Sequence, residues 1–164
     1  MSTFVKGVGT GGTPFGRNEF LRSTNPKPQT ESYTLAASTV PARTINGFAG
    51  QKILQPGTAM AAITSGADIG KIGPFQFYNA NGGGAGIPTG AVDGRGVAAN
   101  LVGLELTFLP WQTIERDVEV SVVTNGTCVQ AWCKELDNTG AEILLSNTTA
   151  DAMRGGKRLD INFS

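Results

Sequence analysis

The chain contains no histidine, and only two of its 164 residues are cysteine. Histidine is the commonest general base, the usual proton carrier of a catalytic triad and the commonest zinc ligand. Its absence excludes most familiar hydrolase and zinc-site designs. Cys128 and Cys133 lie five positions apart in a predicted strand. Extended geometry places their side chains on opposite faces, about 16 Å apart, so we expect two buried free thiols and no disulfide.

Charged residues are scarce as well. They make up 16% of the chain, against roughly 25% in typical soluble proteins, and 13 basic residues balance 13 acidic ones. Residues 1–30 carry four basic residues and one acidic residue, a net charge of +3. Nucleic-acid affinity requires the neutralisation of several phosphates at once, and this excess is too small for it. We therefore expect no nucleic-acid partner.

Long apolar runs are missing too. No stretch approaches the 18 residues of a membrane span, and no charged start leads into an apolar segment with a cleavage site. The sequence therefore predicts neither a transmembrane segment nor a secretory signal. The glycosylation sequons at Asn125 and Asn147 are interpreted as turn residues, because glycosylation requires a secretory route.

Glycine, in contrast, is abundant: its 23 copies are about twice the usual share of roughly 7%. The length is that of one domain, and glycine at this level favours turns between short strands. In Gln55-Pro56-Gly57, proline presets the first turn angle and glycine permits a positive φ at the second. A strand is predicted at residues 33–40 and another at residues 59–63, and a Gly-rich loop at residues 79–96. The predicted fold class is mainly β with little helix.

The C-terminal half has the clearest strand pattern. Residues 118–122 alternate between valine and polar side chains, which is typical of a half-buried strand. Asn125-Gly126 then predicts a tight hairpin turn, because both residues tolerate positive φ. The elements predicted after it are strands at residues 128–136 and 141–145 with a turn at 137–140, a short helix at 149–153, and a last strand at 158–163.

Residues 1–32 lack both the strand and the helix period and are rich in glycine. Such a segment buries too little apolar surface to offset the entropy of ordering, so we interpret it as an extended N-terminal arm, followed by a β-rich domain at residues 33–164. Isolated apolar residues along it are typical of anchors that order on a partner polypeptide. The alternative is that they fold back onto the chain's own body. The candidate anchors are Phe4, Val5, Phe15, Phe20 and Leu21.

Two patterns that suggest a cofactor or a catalyst have simpler explanations. Gly7, Gly9 and Gly12 have the spacing of a dinucleotide loop, but Pro14 prevents the helix that must follow, so we expect no cofactor. Four carboxylates lie near one another in the sequence: Glu105, Glu115, Asp117 and Glu119. Alternation places the last three on one strand face, which is interpreted as solvated, with a two-carboxylate glycosidase as the alternative. We expect no metal site and no enzymatic activity.

Four segments resemble the lambda-type head decoration proteins of tailed bacteriophages. They read LQPGTAMAAI at residues 54–63, GKIGPF at 70–75, DGRGVAANLVG at 93–103 and DVEVSVVTNG at 117–126. Their order matches the family: a Gly-Thr turn and apolar strand, a lysine-containing turn with a Pro-aromatic pair, a Gly/Ala-rich segment, and an acidic closing strand. The resemblance covers roughly residues 33–136, and residues 138–164 extend beyond it.

The resemblance implies a small barrel-like or β-tulip-like body that trimerises on the outer surface of the capsid. It also implies an arm that joins a strand of the major capsid protein, and no active site. We therefore expect a capsid decoration, or cement, protein, made in the host cytoplasm and located on the virion. Two alternatives remain open. The chain could be another phage structural module, from tail or baseplate, or an adhesin that binds carbohydrate through Trp111, Trp132 and the Gly-rich loop.

Overall fold

β-Strands dominate the regular structure, which confirms the predicted fold class of one small, mainly β domain. The computed structural model describes residues 20–21, 28–45, 47–77, 91–107, 114–154 and 159–164. The strands in it are β1 Gln29–Leu35, β2 Arg43–Ile45, β3 Phe48–Gln51, β4 Ala59–Ala62, β5 Ile72–Pro74, β6 Leu101–Glu105, β7 Val118–Cys128, β8 Lys134–Leu136, β9 Glu142–Leu144 and β10 Asp160–Phe163. The described residues contain one α-helix, α1 at Asn147–Ala152, and 3-10 helices at Ala37–Thr39, Ala98–Asn100 and Gln130–Trp132.

Five strands close into a barrel in the order β1-β5-β4-β6-β7. Closure occurs because β1 pairs antiparallel with β7 along its whole length and parallel with β5 at Leu35 and Ile72. β10 then runs parallel to the C-terminal end of β7, from Asn125 to Cys128. Two short hairpins, β2–β3 and β8–β9, lie outside this sheet.

The apolar side chains of the strands divide between two clusters. The first draws members from all five barrel strands, so it fills the barrel interior: Leu35, Met60, Ile72, Val102, Val120 and Val122 belong to it. The second lies between the outer face of the barrel and the C-terminal segment, and includes Ala59, Ala61, Val123, Cys133, Met153 and Ile161. Neighbours such as Met60 and Ala61 fall in different clusters, as strand alternation requires.

Local turn chemistry accounts for several elements. Gly57 has a φ of +85°, and the Thr58 N–H donates to the Gln55 carbonyl at 3.2 Å, which confirms the turn predicted at Gln55-Pro56-Gly57. The β8–β9 hairpin also confirms the turn predicted between residues 137 and 140. Helix α1 begins two residues earlier than predicted, and the Thr149 N–H donates to the side chain of Ser146 at its N-cap.

The hairpin predicted at Asn125-Gly126 is wrong, because β7 continues through both residues. Here Asn125 pairs with Gln29 on one side and Asp160 on the other, and Gly126 pairs with Ile161. A Cβ on Gly126 would lie 3.3 Å from the Cβ of Pro28, so the glycine allows a close chain approach. Pairing with distant strands therefore overrides the local turn preference.

Candidate interaction surface

The predicted arm anchors separate into two groups. Phe4, Val5 and Phe15 lie outside the described residues. Phe20 is 2% exposed and packs in the outer cluster, where an added Cβ on Gly57 would lie 3.0 Å from its ring. Leu21 forms an isolated bridge with Cys128 and packs against the same cluster. Phe20 and Leu21 therefore pack against the chain's own body, which is the alternative interpretation given above for the anchors.

The boundary between arm and body consequently lies earlier than residue 32. Residues 29–32 belong to β1 and pair with β7. The Val129 N–H donates to the Phe20 carbonyl at 2.6 Å, which fixes the chain beside the end of β7. Of the predicted arm, Phe20, Leu21 and residues 29–32 therefore belong to the described body.

Large apolar side chains stand on the surface of the described body. Phe48 is 70% exposed at the start of β3, and Trp132 is 53% exposed in a 3-10 helix. The other exposed members are Ile69, Phe77, Val92, Val97, Ile143 and Leu144. Exposed apolar residues that gather on one surface mark interaction sites in soluble proteins. Three of these residues, Phe77, Ile143 and Leu144, belong to the β8–β9 hairpin or to the segment that bonds to it.

A cavity of about 550 Å³ opens beside this hairpin. The backbone positions its walls: the Leu136 N–H donates to the Phe75 carbonyl at 3.0 Å, and the Lys134 N–H to the Gly57 carbonyl at 3.0 Å. Its apolar wall consists of Phe75, Phe77, Ala98 and Ile143, and its polar wall includes Glu135, Asp137, Asn138, Ser146, Thr148 and Thr149. The size falls within the range of roughly 300–1,000 Å³ that is typical of ligand sites.

Glu135 is the most deeply buried acidic side chain of this wall. Its side chain is 3% exposed, and its Oε2 atom is buried without a hydrogen-bond partner. Asp137, at the rim, accepts hydrogen bonds from the Thr139 hydroxyl at 2.6 Å and the Ala141 N–H at 2.9 Å. Hydrogen bonding, first from the Thr139 side chain, lowers the pKa of Asp137. The lining residues include no lysine or arginine, so this wall is acidic.

The three carboxylates predicted on one solvated strand face, Glu115, Asp117 and Glu119, are exposed. Asp117 pairs with Lys71 at 2.5 Å and accepts from the Ala37 N–H at 3.0 Å, and the Lys71 hydrogen bond lowers its pKa. The pKa of Lys71 is raised in return, first by Asp117. This carboxylate therefore joins the chain before β7 to the turn before β5.

Glu105, the fourth carboxylate named with them, is buried, with 1% of its surface exposed. It pairs with Val122 of the barrel interior and therefore lies on the same face of the sheet. Both carboxylate oxygens are buried without a partner in hydrogen-bond geometry. Burial raises the pKa of Glu105 to about 8, and the nearby Thr107 offsets only part of that effect. One inward carboxyl without a second beside it does not form the glycosidase pair.

Both cysteines are free and buried, as predicted, but their predicted separation onto opposite faces is wrong. The 3-10 helix Gln130–Trp132 turns the chain between them, so both pack in the outer cluster. Burial raises the pKa of the Cys128 thiol to about 12, and also raises that of Cys133.

We therefore expect a chromogenic disulfide reagent at pH 8 to label both thiols in guanidinium chloride and neither in the native protein. Because the thiolate is the reactive form, native labelling is expected to be about a thousandfold slower or more. The measurement is the rate of reagent reduction followed by absorbance. Rapid labelling of one thiol in the folded chain would contradict this burial.

Other candidate features contribute little to this surface. Trp132 is exposed, but Trp111 lies outside the described residues, as do the glycines of the N-terminal segment and residues 79–90 of the Gly-rich loop. Within the described ranges, no three His, Cys, Asp or Glu side chains form a group that could hold a metal ion. The one α-helix described there is too short to cross a membrane.

The chain was compared with protein-family models, with curated protein sequences and with solved structures, and none of the three comparisons found a match.

Proposed function

We propose that this chain is a bacteriophage capsid decoration protein, which binds the outer surface of the major capsid protein lattice as a trimer and stabilises the head. The sequence resemblance over residues 33–136 supports this function. The main structural support is the distribution of apolar side chains. The barrel is filled by its own side chains, while eight large apolar side chains of the described body are exposed. A filled barrel leaves no interior ligand site, whereas exposed apolar groups suit contacts between proteins.

The N-terminal segment supports the same function. Phe20 and Leu21 tether the chain to the body beside the end of β7. Residues 1–19 precede this tether and carry Phe4, Val5 and Phe15. A strand that adds to the edge of a partner's sheet gains backbone hydrogen bonds, and its apolar side chains set the register. We therefore assign capsid contact to these three residues, and a structural role in the body to Phe20 and Leu21.

A pair of truncations tests this assignment. Deletion of residues 1–19 is expected to leave a folded trimer that no longer sediments with undecorated, expanded capsids. Deletion of residues 1–21 also removes Phe20, and loss of a buried phenylalanine costs about 3–5 kcal/mol. The shorter deletion should therefore lose binding without loss of stability, and the longer one should lose both. Capsid cosedimentation, thermal unfolding and analytical ultracentrifugation are the measurements.

Retention of full capsid binding after deletion of residues 1–19 would contradict the arm assignment. A monomer in sedimentation would contradict the trimer. Stoichiometry distinguishes a decoration protein from a tail or baseplate module, because only the former should occur in many copies on heads that lack tails.

A further inference from the structure

We propose that the cavity beside the β8–β9 hairpin binds a basic side chain, carried by an extended segment of a partner polypeptide that adds to the free edge of β9. The occupant is defined by chemistry and does not depend on capsid binding. Three features lead to it: a buried carboxyl group with one oxygen unpartnered, aromatic walls, and an unpaired strand edge along the cavity mouth.

The carboxylate supplies the charge complementarity. Glu135 is nine-tenths buried or more, and its Oε2 atom is buried without a hydrogen-bond partner. A buried polar atom without a partner costs free energy, and an entering cation that donates to Oε2 offsets that cost. Asp137 adds a second negative charge at the rim. An acidic wall of this kind selects a lysine or arginine side chain and disfavours an acidic one.

The aromatic walls suit the aliphatic part of such a side chain. Phe75 is buried at the wall, and Phe77 is half exposed at the opening. A lysine or arginine buries its methylene groups against apolar surface, and an aromatic face also attracts the cation. Ile143 completes the apolar side. The cavity therefore accommodates both parts of a long basic side chain.

The strand edge supplies the backbone partner. The Leu145 N–H donates to the Cys133 carbonyl at 3.0 Å, and the Asp137 N–H to the Ala141 carbonyl at 2.8 Å. By alternation, the N–H and C=O groups of Glu142 and Leu144 point away from β8. No strand of the described chain pairs with this side of β9. An extended segment can therefore add there.

The face of the hairpin links the edge to the cavity. Glu135 and Ile143 are directly paired, so their side chains lie on one face, and both line the cavity. In an added strand, the residue opposite Ile143 places its side chain on that same face. A basic residue at that position enters the cavity toward Glu135.

The probes are the peptide acetyl-Thr-Val-Lys-Val-Thr-amide and the same peptide with norleucine in place of lysine, titrated into the full chain by calorimetry and by NMR. The lysine peptide is expected to bind at least about tenfold more tightly than the norleucine peptide, which keeps the aliphatic length without the charge. The Glu135→Gln variant should reduce this ratio to near one. Glu119→Gln, which changes an exposed carboxylate of β7, should leave it unchanged.

Two methylated lysine peptides test strand addition with the wild-type protein. This test therefore does not require the Glu135→Gln variant to fold. One is N-methylated at the lysine amide and the other at both flanking valine amides. Because successive N–H groups of a strand alternate in direction, one pattern should abolish binding and the other should be tolerated. Equal affinity of the lysine and norleucine peptides would overturn the proposal. An equal response to the two methylation patterns would overturn it as well.

Discussion

Replacement of Glu105 by glutamine is expected to raise the free energy of unfolding by about 4 kcal/mol at pH 8, and to change it little at pH 4.5. The physical reason is burial, which raises the pKa of this carboxyl from 4.5 to about 8 in the folded chain. The fold therefore favours the protonated form. Below pH 4.5 both the folded and unfolded chains hold the proton, and the stabilisation is complete.

Between pH 4.5 and 8 the unfolded chain ionises first, so the wild type should lose about 1.4 kcal/mol for each pH unit. Chemical denaturation at intervals from pH 4 to 9 measures this slope. Glu105→Gln should flatten it, whereas Glu119→Gln, at an exposed position of β7, should keep the wild-type slope. Parallel profiles for wild type and Glu105→Gln would show that the carboxyl is not buried as described.

Replacement of Gly103 by alanine is expected to destabilise the barrel by more than about 4 kcal/mol. Gly103 has a φ of +133°, and a Cβ added there would lie 2.1 Å from the carbonyl oxygen of Val123. That oxygen is backbone, so relief requires β6 and β7 to separate. Thermal and chemical unfolding of the variant measure the loss.

Gly70→Ala is the matched control, because Gly70 has a φ of +87° but no atom within 4 Å of an added Cβ. It should cost only the backbone strain, about 1–2 kcal/mol. The difference between the two variants then combines the steric contact between β6 and β7 with any additional backbone strain at a φ of +133°. Equal losses would contradict the close approach of these strands at Gly103.

The elements that could be predicted from the sequence are those set by neighbouring residues. Gln55-Pro56-Gly57 contains its own turn chemistry, and the alternation at residues 118–122 depends only on the strand period. The hairpin prediction at Asn125-Gly126 is wrong because the strands that pair there are distant in the sequence. The partner in β10 lies about 35 residues later, and the partner in β1 lies almost 100 residues earlier. Local preference cannot include such partners.

The site was less predictable for the same reason. Between Met60 and Ala61 the register of β4 with β6 shifts, so simple alternation does not give the side of the sheet on which Glu105 lies. Glu135 lies in a predicted strand, but the cavity that it lines is completed by Phe75 and by residues of α1, which come from other parts of the chain. The burial of Phe20 could not be predicted either. Its ring packs against Gly57, and nothing in the sequence indicates that these two residues meet.

The most direct measurement of the proposed function is electron cryomicroscopy of undecorated, expanded capsids of the virus that encodes the chain, mixed with the purified protein. The account predicts density for three copies of the barrel at repeated positions on the outer surface, with residues 1–19 extended against a strand of the capsid protein. Capsids that stay bare at saturating protein concentration would contradict it.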